Sequence, residues 1–310
     1  MKRQKGEKVK RLMPLYLFAS LPLYLLTFSP FLAGCAAVRP GPPVASDLTG
    51  ISWMLRKPSG TVQNLSLEQI KDTLSSNNTS FTTLKAKAQI TLYTPDTSGP
   101  LLCEGYIRLQ RPNKLRFIGT KLTSTIFDML TDGETFWLYL PSEKKIYTGR
   151  CNSISASGGS AKLGANILPD DIAMLLNYND ALTPGTILTK DVNRTPILET
   201  WPGLWLIHIV DLNNGIAILR ANLYIDRVGV NVIRYDIFGT GGNIRVQALF
   251  DDYARFDNSV IPQKIVILWP DDDTKLILSL TNIVTNEQID SKVFRFSKPK
   301  TVEIVSLNDM

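Results

Sequence analysis

From Phe81 onward the chain repeats one pattern: short runs in which apolar and polar side chains alternate, each closed by turn residues. A period of two puts apolar groups on one face of an extended strand and polar groups on the other. In 216–226 one face carries Ala217, Leu219, Ala221, Leu223 and Ile225, and the other Arg220, Asn222, Tyr224 and Asp226. In 275–283, Leu276, Leu278 and Leu280 alternate with Lys275, Ser279 and Thr281. Such runs fold as antiparallel sheet with one wet face and one apolar face. So large an apolar face must be covered, by helices or by a hydrophobic ligand, with Leu219, Leu223, Ile225, Leu276 and Leu278 as candidate cavity-lining residues.

The pattern predicts strands near 82–93, 101–111, 114–119, 125–131, 134–140 and 145–150. It predicts further ones near 203–212, 216–226, 230–238, 243–252, 260–269, 274–284 and 292–296. Pro95 to Pro100, Arg111-Pro112-Asn113, Asp132-Gly133 and Pro141-Ser142 supply turn chemistry in the first half. Ser66-Leu67-Glu68-Gln69 has capping-box spacing, and Leu67, Ile70 and Leu74 continue it as a helical stripe. Between 151 and 202 the alternation breaks. There Pro169-Asp170-Asp171 opens a short helix to about Tyr178, with proline and acids where a first turn favours them. The fold expected is mainly β with a few helices, as one large curved sheet.

Basic residues outnumber acidic ones by 34 to 28, which invites a nucleic-acid reading. Six of the basic groups (Lys2, Arg3, Lys5, Lys8, Lys10 and Arg11) and one acidic group (Glu7) precede Cys35, leaving 28 basic and 27 acidic residues after it. The charge therefore sits at the N-terminus, and no footprint for nucleic acid remains elsewhere.

Behind that basic run, Leu12 to Ala33 is uncharged and mostly apolar and ends in Leu32-Ala33-Gly34-Cys35. A basic region, an apolar region and small residues before a cleavage point describe a secretory signal over 1–34. Its end resembles the lipobox of bacterial lipoproteins, in which the cysteine thiol accepts a diacylglyceryl group. A plain membrane anchor is the alternative, since about 20 apolar residues span a bilayer, although Pro14, Pro22 and Pro30 interrupt it. Lipidation at Cys35 implies stable acyl anchoring. Residues 35–63, rich in Pro, Gly and Ser, read as the lipidated N-terminus and a flexible linker. Residues 64–310 read as the folded domain.

Catalytic motifs are lacking. The single histidine, His208, rules out a histidine metal cluster and alternates with Leu206 and Val210 as a packing residue on a strand. Asp271-Asp272-Asp273 follows Pro270 between two strands and reads as a solvated turn. Gly239-Thr240-Gly241-Gly242 opens no helix and cradles no phosphate. No catalytic residue, metal or cofactor is expected. Cys103 and Cys151 could meet in an oxidising compartment, but several strands separate them.

Two residues stand out. Arg111 ends a strand on the same side as Ile107 and Leu109, so its guanidinium sits at the mouth of a cavity if that face is apolar; otherwise it is a surface arginine beside a turn. Leu122 lies in the loop Gly119-Thr120-Lys121-Leu122-Thr123-Ser124, either tucked on the sheet or free to enter lipid.

Gly105-Tyr106-Ile107-Arg108-Leu109-Gln110-Arg111-Pro112-Asn113, followed by Asp132-Gly133-Glu134-Thr135-Phe136-Trp137-Leu138-Tyr139, resembles the LolA and LolB superfamily of lipoprotein carriers and receptors. Leu223-Tyr224-Ile225-Asp226-Arg227 and Phe294-Arg295-Phe296-Ser297-Lys298-Pro299 extend the likeness across roughly 65–305. The resemblance implies an incomplete antiparallel β-barrel, or half-barrel, with a helical lid, for which the 151–202 insertion is the candidate. It implies binding of lipoprotein acyl chains or other lipids and, as partner, a periplasmic lipoprotein carrier. Arg111 matches the arginine that ties the family's lid to its barrel, which implies gating. Cys35 and Leu122 match the receptor, itself an outer-membrane lipoprotein with a protruding leucine loop, which implies membrane insertion by Leu122. The Arg-Pro motif resembles the carrier. The location implied is the outer membrane, lipid-anchored and facing the periplasm. Binding of a glycolipid, or stress sensing, on the same scaffold is the alternative.

Overall fold

The computed structural model describes residues 60–307, except 79–80, 96, 152–166, 183–193, 214, 240 and 300. The expected signal, Cys35, most of the linker and much of the 151–202 segment lie outside the described residues.

Helix α1 (Leu67–Asn78) starts where the capping box places it. The Ser66 backbone N–H donates to Gln69 Oε1 at 2.8 Å, and the Gln69 N–H donates to Ser66 Oγ at 3.3 Å. Six antiparallel strands follow: β1 (Thr83–Tyr93), β2 (Leu101–Gln110), β3 (Lys114–Lys121), β4 (Ser124–Thr131), β5 (Thr135–Leu140) and β6 (Lys145–Arg150). Helix α2 (Pro169–Leu176) has Pro169 at its start and Asp170 and Asp171 in its first turn. The chain then runs through β7 (Arg194–Thr200), β8 (Leu204–Asn213), β9 (Ile216–Asp226) and β10 (Val232–Phe238). Strands β11 (Ile244–Phe256), β12 (Ser259–Trp269), β13 (Thr274–Thr285) and the short β14 (Glu303–Ser306) complete it. Among the described residues these fourteen strands form one sheet, ordered β14-β6-β5-β4-β3-β2-β1-β13-β12-β11-β10-β9-β8-β7. Its edges, β14 and β7, are not paired with each other, so the sheet is open. No helix among the described residues is long and apolar enough to cross a membrane.

Period-two burial follows the sequence closely. In β1, Leu84, Ala86, Ala88 and Ile90 are buried while Lys87 and Gln89 are exposed. In β13, Leu276, Leu278 and Leu280 are buried between half-buried Lys275, Ile277 and Ser279. The inward sets of most strands join residues of both helices in one apolar core, with Ile70 and Leu74 from α1 and Ile172 and Leu175 from α2 almost fully buried. At roughly 1.5–3 kcal/mol for each large apolar side chain, that face supplies the main stabilisation.

The strand expected near 292–296 does not form. Both sides of β13 are occupied, by β1 and β12, so the chain leaving β13 cannot pair beside it. Instead Ser291–Phe294 makes a 3-10 turn, with the Asp290 side chain accepting from the Lys292 N–H. It packs on β3, where Arg116, bidentate to Asp128 at 3.1 and 2.6 Å, also donates to the Val293 carbonyl at 2.9 Å. Phe296 stacks on Trp137, centroids 6.1 Å apart. The chain then reaches the free edge of β6 and pairs there in parallel as β14. Within the 151–202 segment, 194–200 forms edge strand β7 rather than irregular chain.

Candidate functional site

The N-terminal end of α2 is fixed by charge. Asp171, 1% exposed, pairs with Arg245 of β11 at 2.6 and 2.9 Å, and Trp269 Nε1 of β12 lies 3.4 Å from the same carboxylate. Burial pulls the Arg245 pKa down, yet the adjacent Asp171 more than offsets it and the net shift is upward. The carboxylate also sits in the helix's first turn, where negative charge is favourable.

The C-terminal end is held by neutral groups. Asn177 donates through Nδ2 to the Pro112 carbonyl at 2.9 Å and to Ala173 O at 3.0 Å. The Tyr178 hydroxyl is 3.3 Å from that of Tyr253, whose own proton goes to the Val232 carbonyl at 2.5 Å. Burial, and then the Tyr178 hydroxyl, holds the Tyr253 pKa well above its ordinary value, so this donor stays protonated at neutral pH.

Beneath this end lies an apolar pocket. Its α2 side is Leu176 with the following Tyr178, and its sheet side is Phe81, Leu84, Ile107, Leu109, Val260, Ile261, Pro262, Ile265 and Leu280. Apart from Phe81, which precedes β1, these residues come from β1, β2, β12 and β13, adjacent strands in the sheet. The volume is about 20 Å3, room for little more than one water.

Arg111 reaches this site. Its guanidinium lies 4.4 Å above the centroid of Phe81, a pocket residue, and its backbone N–H donates to Thr82 O at 2.9 Å. The Arg111–Pro112 peptide bond is cis. The neighbouring Asp132-Gly133 turn packs on the same corner: Gly133 has φ +97°, and a Cβ there would collide with the Asn113 side chain. The first two of the four sequence segments quoted for the family resemblance therefore meet in space beside the end of α2.

The expected cavity-lining residues fall elsewhere. Leu223, Ile225, Leu276 and Leu278 face inward but are 0–2% exposed and packed in the core. Leu219 is half-buried. None of the five borders the pocket beneath α2. Of the sheet, alternation identified the right face; it could not tell which part of that face the helices leave unfilled. Phe81, Ile261 and Ile265 sit in runs whose apolar alternation is the signal that could have found them.

Leu122 is not tucked against the sheet. It sits at the tip of the β3–β4 hairpin, 98% exposed. Its φ of 56° is a left-handed conformation costly for leucine. Along β3, eight residues separate it from the Arg111 turn, about 27 Å at some 3.4 Å per residue. Cys35 lies outside the described residues.

Remaining candidates are structural. His208 on β8 bonds Asn222 Oδ1 through Nδ1 at 2.8 Å and Glu199 Oε2 through Nε2 at 3.3 Å. Pro270–Asp272 forms the 3-10 turn between β12 and β13, and no group of three potential metal ligands occurs among the described residues. Cys103 and Cys151 are free thiols. Burial pushes the Cys151 thiol up to about 11, which leaves it almost entirely protonated, hence unreactive, at neutral pH.

The open, mainly antiparallel sheet, with its apolar face packed against helices, is a fold that the chain shares with solved structures. Among solved structures, the chain is similar to an outer membrane lipoprotein-sorting protein domain from Vibrio parahaemolyticus, with 11% identity and a TM-score of 0.50 over 73% of this chain and 94% of that one. It is also similar to a LolA superfamily protein from Nitrosomonas europaea, at 10% identity and a TM-score of 0.49, covering 75% and 99% of the two chains. A DUF1329 family protein from Desulfovibrio piger gives 11% identity and a TM-score of 0.49, covering 73% and 94%. No family model and no curated protein matches the sequence. At such low identity the likeness is one of fold.

Proposed function

We propose that this is a lipid-anchored protein of the outer membrane that faces the periplasm, takes acyl chains into its apolar concavity, and receives or carries lipoproteins for insertion. In this reading residues 1–34 are the signal, Cys35 takes the lipid and 35–63 is the tether. Residues 64–310 are the binding domain, an incomplete barrel lidded by α2 from the 151–202 segment. The protein is not an enzyme and uses no cofactor. Its partners are acyl chains, a periplasmic lipoprotein carrier and the membrane. Arg111, over the ring of the pocket residue Phe81 and beside the Asn177–Pro112 contact, takes part in gating. Leu122 at its hairpin tip enters the membrane.

The observation that carries the reading is the apolar pocket beneath α2. Its lining is almost free of polar groups, so acyl burial supplies the driving force, at about 25 cal/mol per Å2. At about 20 Å3 it admits no acyl chain until α2 moves. The energy of opening then sets affinity, as transfer between donor and acceptor requires.

A second reading, a structural lipoprotein whose concavity is filled by its own side chains, is favoured by the near-complete burial of Leu223, Ile225, Leu276 and Leu278. Native mass spectrometry of the full chain extracted from its own membranes tests both. Bound lipopeptide is the expected result. A free glycolipid points to the glycolipid alternative, and a persistently empty protein favours the second reading.

A further inference from the structure

Strand order and direction place the β3–β4 and β8–β9 turns at one end of the sheet, and the β2–β3 and β9–β10 turns at the other. Leu122 is the tip of the first hairpin. The tip of the second is apolar as well: from Leu212 to Leu219 the sequence holds no charged residue. Leu212 is 45% exposed and Ile216 66%, Ala217 is exposed, and Ile218 and Leu219 are half-buried. Register pairs Leu212 with Ala217 and Val210 with Leu219, so Leu212, Ala217 and Leu219 share one face of the ribbon and Ile216 and Ile218 the other. Among the described residues, β10 pairs with β9 only as far as Ala221, and β7 with β8 only as far as Asp211. The tip therefore stands clear of both neighbouring strands. The first charges behind it are joined, Arg220 donating to Asp211 at 3.1 Å. Four residues separate Arg220 from Ile216, about 14 Å of strand, which exceeds the 5–10 Å or so that an interfacial element enters.

Single exposed apolar side chains are ordinary, but a ribbon apolar on both faces is not. A protein partner would cover one face and leave the other wet, and a tip this small cannot fill the roughly 1,200 Å2 of a specific interface. A bilayer surrounds what enters it and so covers both faces. We propose that the β8–β9 tip, residues 212–219, enters the lipid surface, so that the domain meets the membrane through two hairpins at one end, this one and that of Leu122. The β12–β13 turn between them, with Asp271, Asp272 and Asp273, stays in water. This rests on the membrane location in the proposed function and not on acyl binding. The tether of that reading joins the domain at the other end, where the Gln63 N–H donates to Arg227 O of the β9–β10 turn at 2.8 Å. Residues 36–59 reach up to about 80 Å, twice the ~37 Å length of β9, so anchor and tips can meet the same leaflet.

Fluorescence of the full chain in phosphatidylethanolamine–phosphatidylglycerol vesicles tests this. A nitrobenzoxadiazole label is placed on Ile216→Cys in a background of Cys103→Ala and Cys151→Ala. Asn258→Cys, exposed in the β11–β12 turn at the other end, is the control, and Leu122→Cys reports the first tip. Emission at 216 is expected to shift to the blue and to be quenched by spin-labelled lipid, and emission at 258 to do neither. Quenching at 216 with none at 122 supports this tip and removes the role of Leu122. No quenching at 216, on protein that floats with the vesicles, overturns the proposal and leaves the membrane location standing. A blue shift at 216 without quenching means that a second copy covers the tip, which also overturns it. Protein that does not float overturns the membrane location together with the tip.

Discussion

Asp171→Ala is expected to lower the melting temperature by roughly 10 °C. The carboxylate is 1% exposed and the Arg245 side chain 24%, with nitrogen–oxygen distances of 2.6 and 2.9 Å. Removing Asp171 costs about 3 kcal/mol, the low end for breaking a buried pair, because the Arg245 charge left without its carboxylate is only partly exposed. For a domain of this size each kcal/mol is worth about 2–4 °C. The isolated attraction is not what is lost, so removing both charges should be milder: Asp171→Leu with Arg245→Met is expected to recover most of the stability. Thermal unfolding of the two variants, followed by circular dichroism, checks this. A fall of less than about 2 °C in Asp171→Ala would mean that solvent screens the pair, and α2 would then have no fixed end.

Leu176→Arg is expected to weaken acyl binding at least 100-fold, about 2.7 kcal/mol, while leaving the fold in place. Leu176 is half-buried on α2 and forms part of the pocket wall. An arginine there can lay its methylenes along the apolar wall and bring its guanidinium to solvent, filling the space an acyl chain needs. The apolar area lost from the core is small, so the melting temperature should fall by only a few degrees. Titration with a fluorescent fatty acid separates the effects. Wild-type affinity in a folded Leu176→Arg protein would place acyl binding outside this pocket.

Much of the sheet was legible in the sequence because its physics is local. Alternation marked the strands from β1 to β6 and from β8 to β13, and turn residues such as Asp132-Gly133 closed them where the backbone requires it. The start of α1 followed from Ser66 and Gln69, and that of α2 from Pro169. What stayed hidden depends on distant parts of the chain. Strand β7 contains Pro196 and is an edge, so it shows no regular apolar face. Strand β14 has four residues and exists because β6 offers an edge, whereas Phe294-Arg295-Phe296 has strand composition and no edge to join. The candidate site behaves likewise. Arg111 and Leu122 were singled out from their places beside turns, and the structure puts one over the ring of Phe81, a pocket residue, and the other at an exposed tip. Leu219, Leu223, Ile225, Leu276 and Leu278 were chosen for their regular alternation, and none of them borders the pocket beneath the end of α2, which lies between Leu109 and Ile265. Which stretch of an apolar face stays unfilled is set by how the helices lie across it, and alternation carries no record of that.

The central claim is that an acyl chain enters beneath α2. A fatty acid bearing a diazirine near its methyl end, photolysed on the intact protein and mapped by mass spectrometry, tests it most directly. Adducts are expected on the segments holding Ile107 and Leu109, Leu176 and Tyr178, and Ile261 to Ile265. Adducts confined to exposed apolar residues such as Leu122 and Ile216, or none above background, would contradict it.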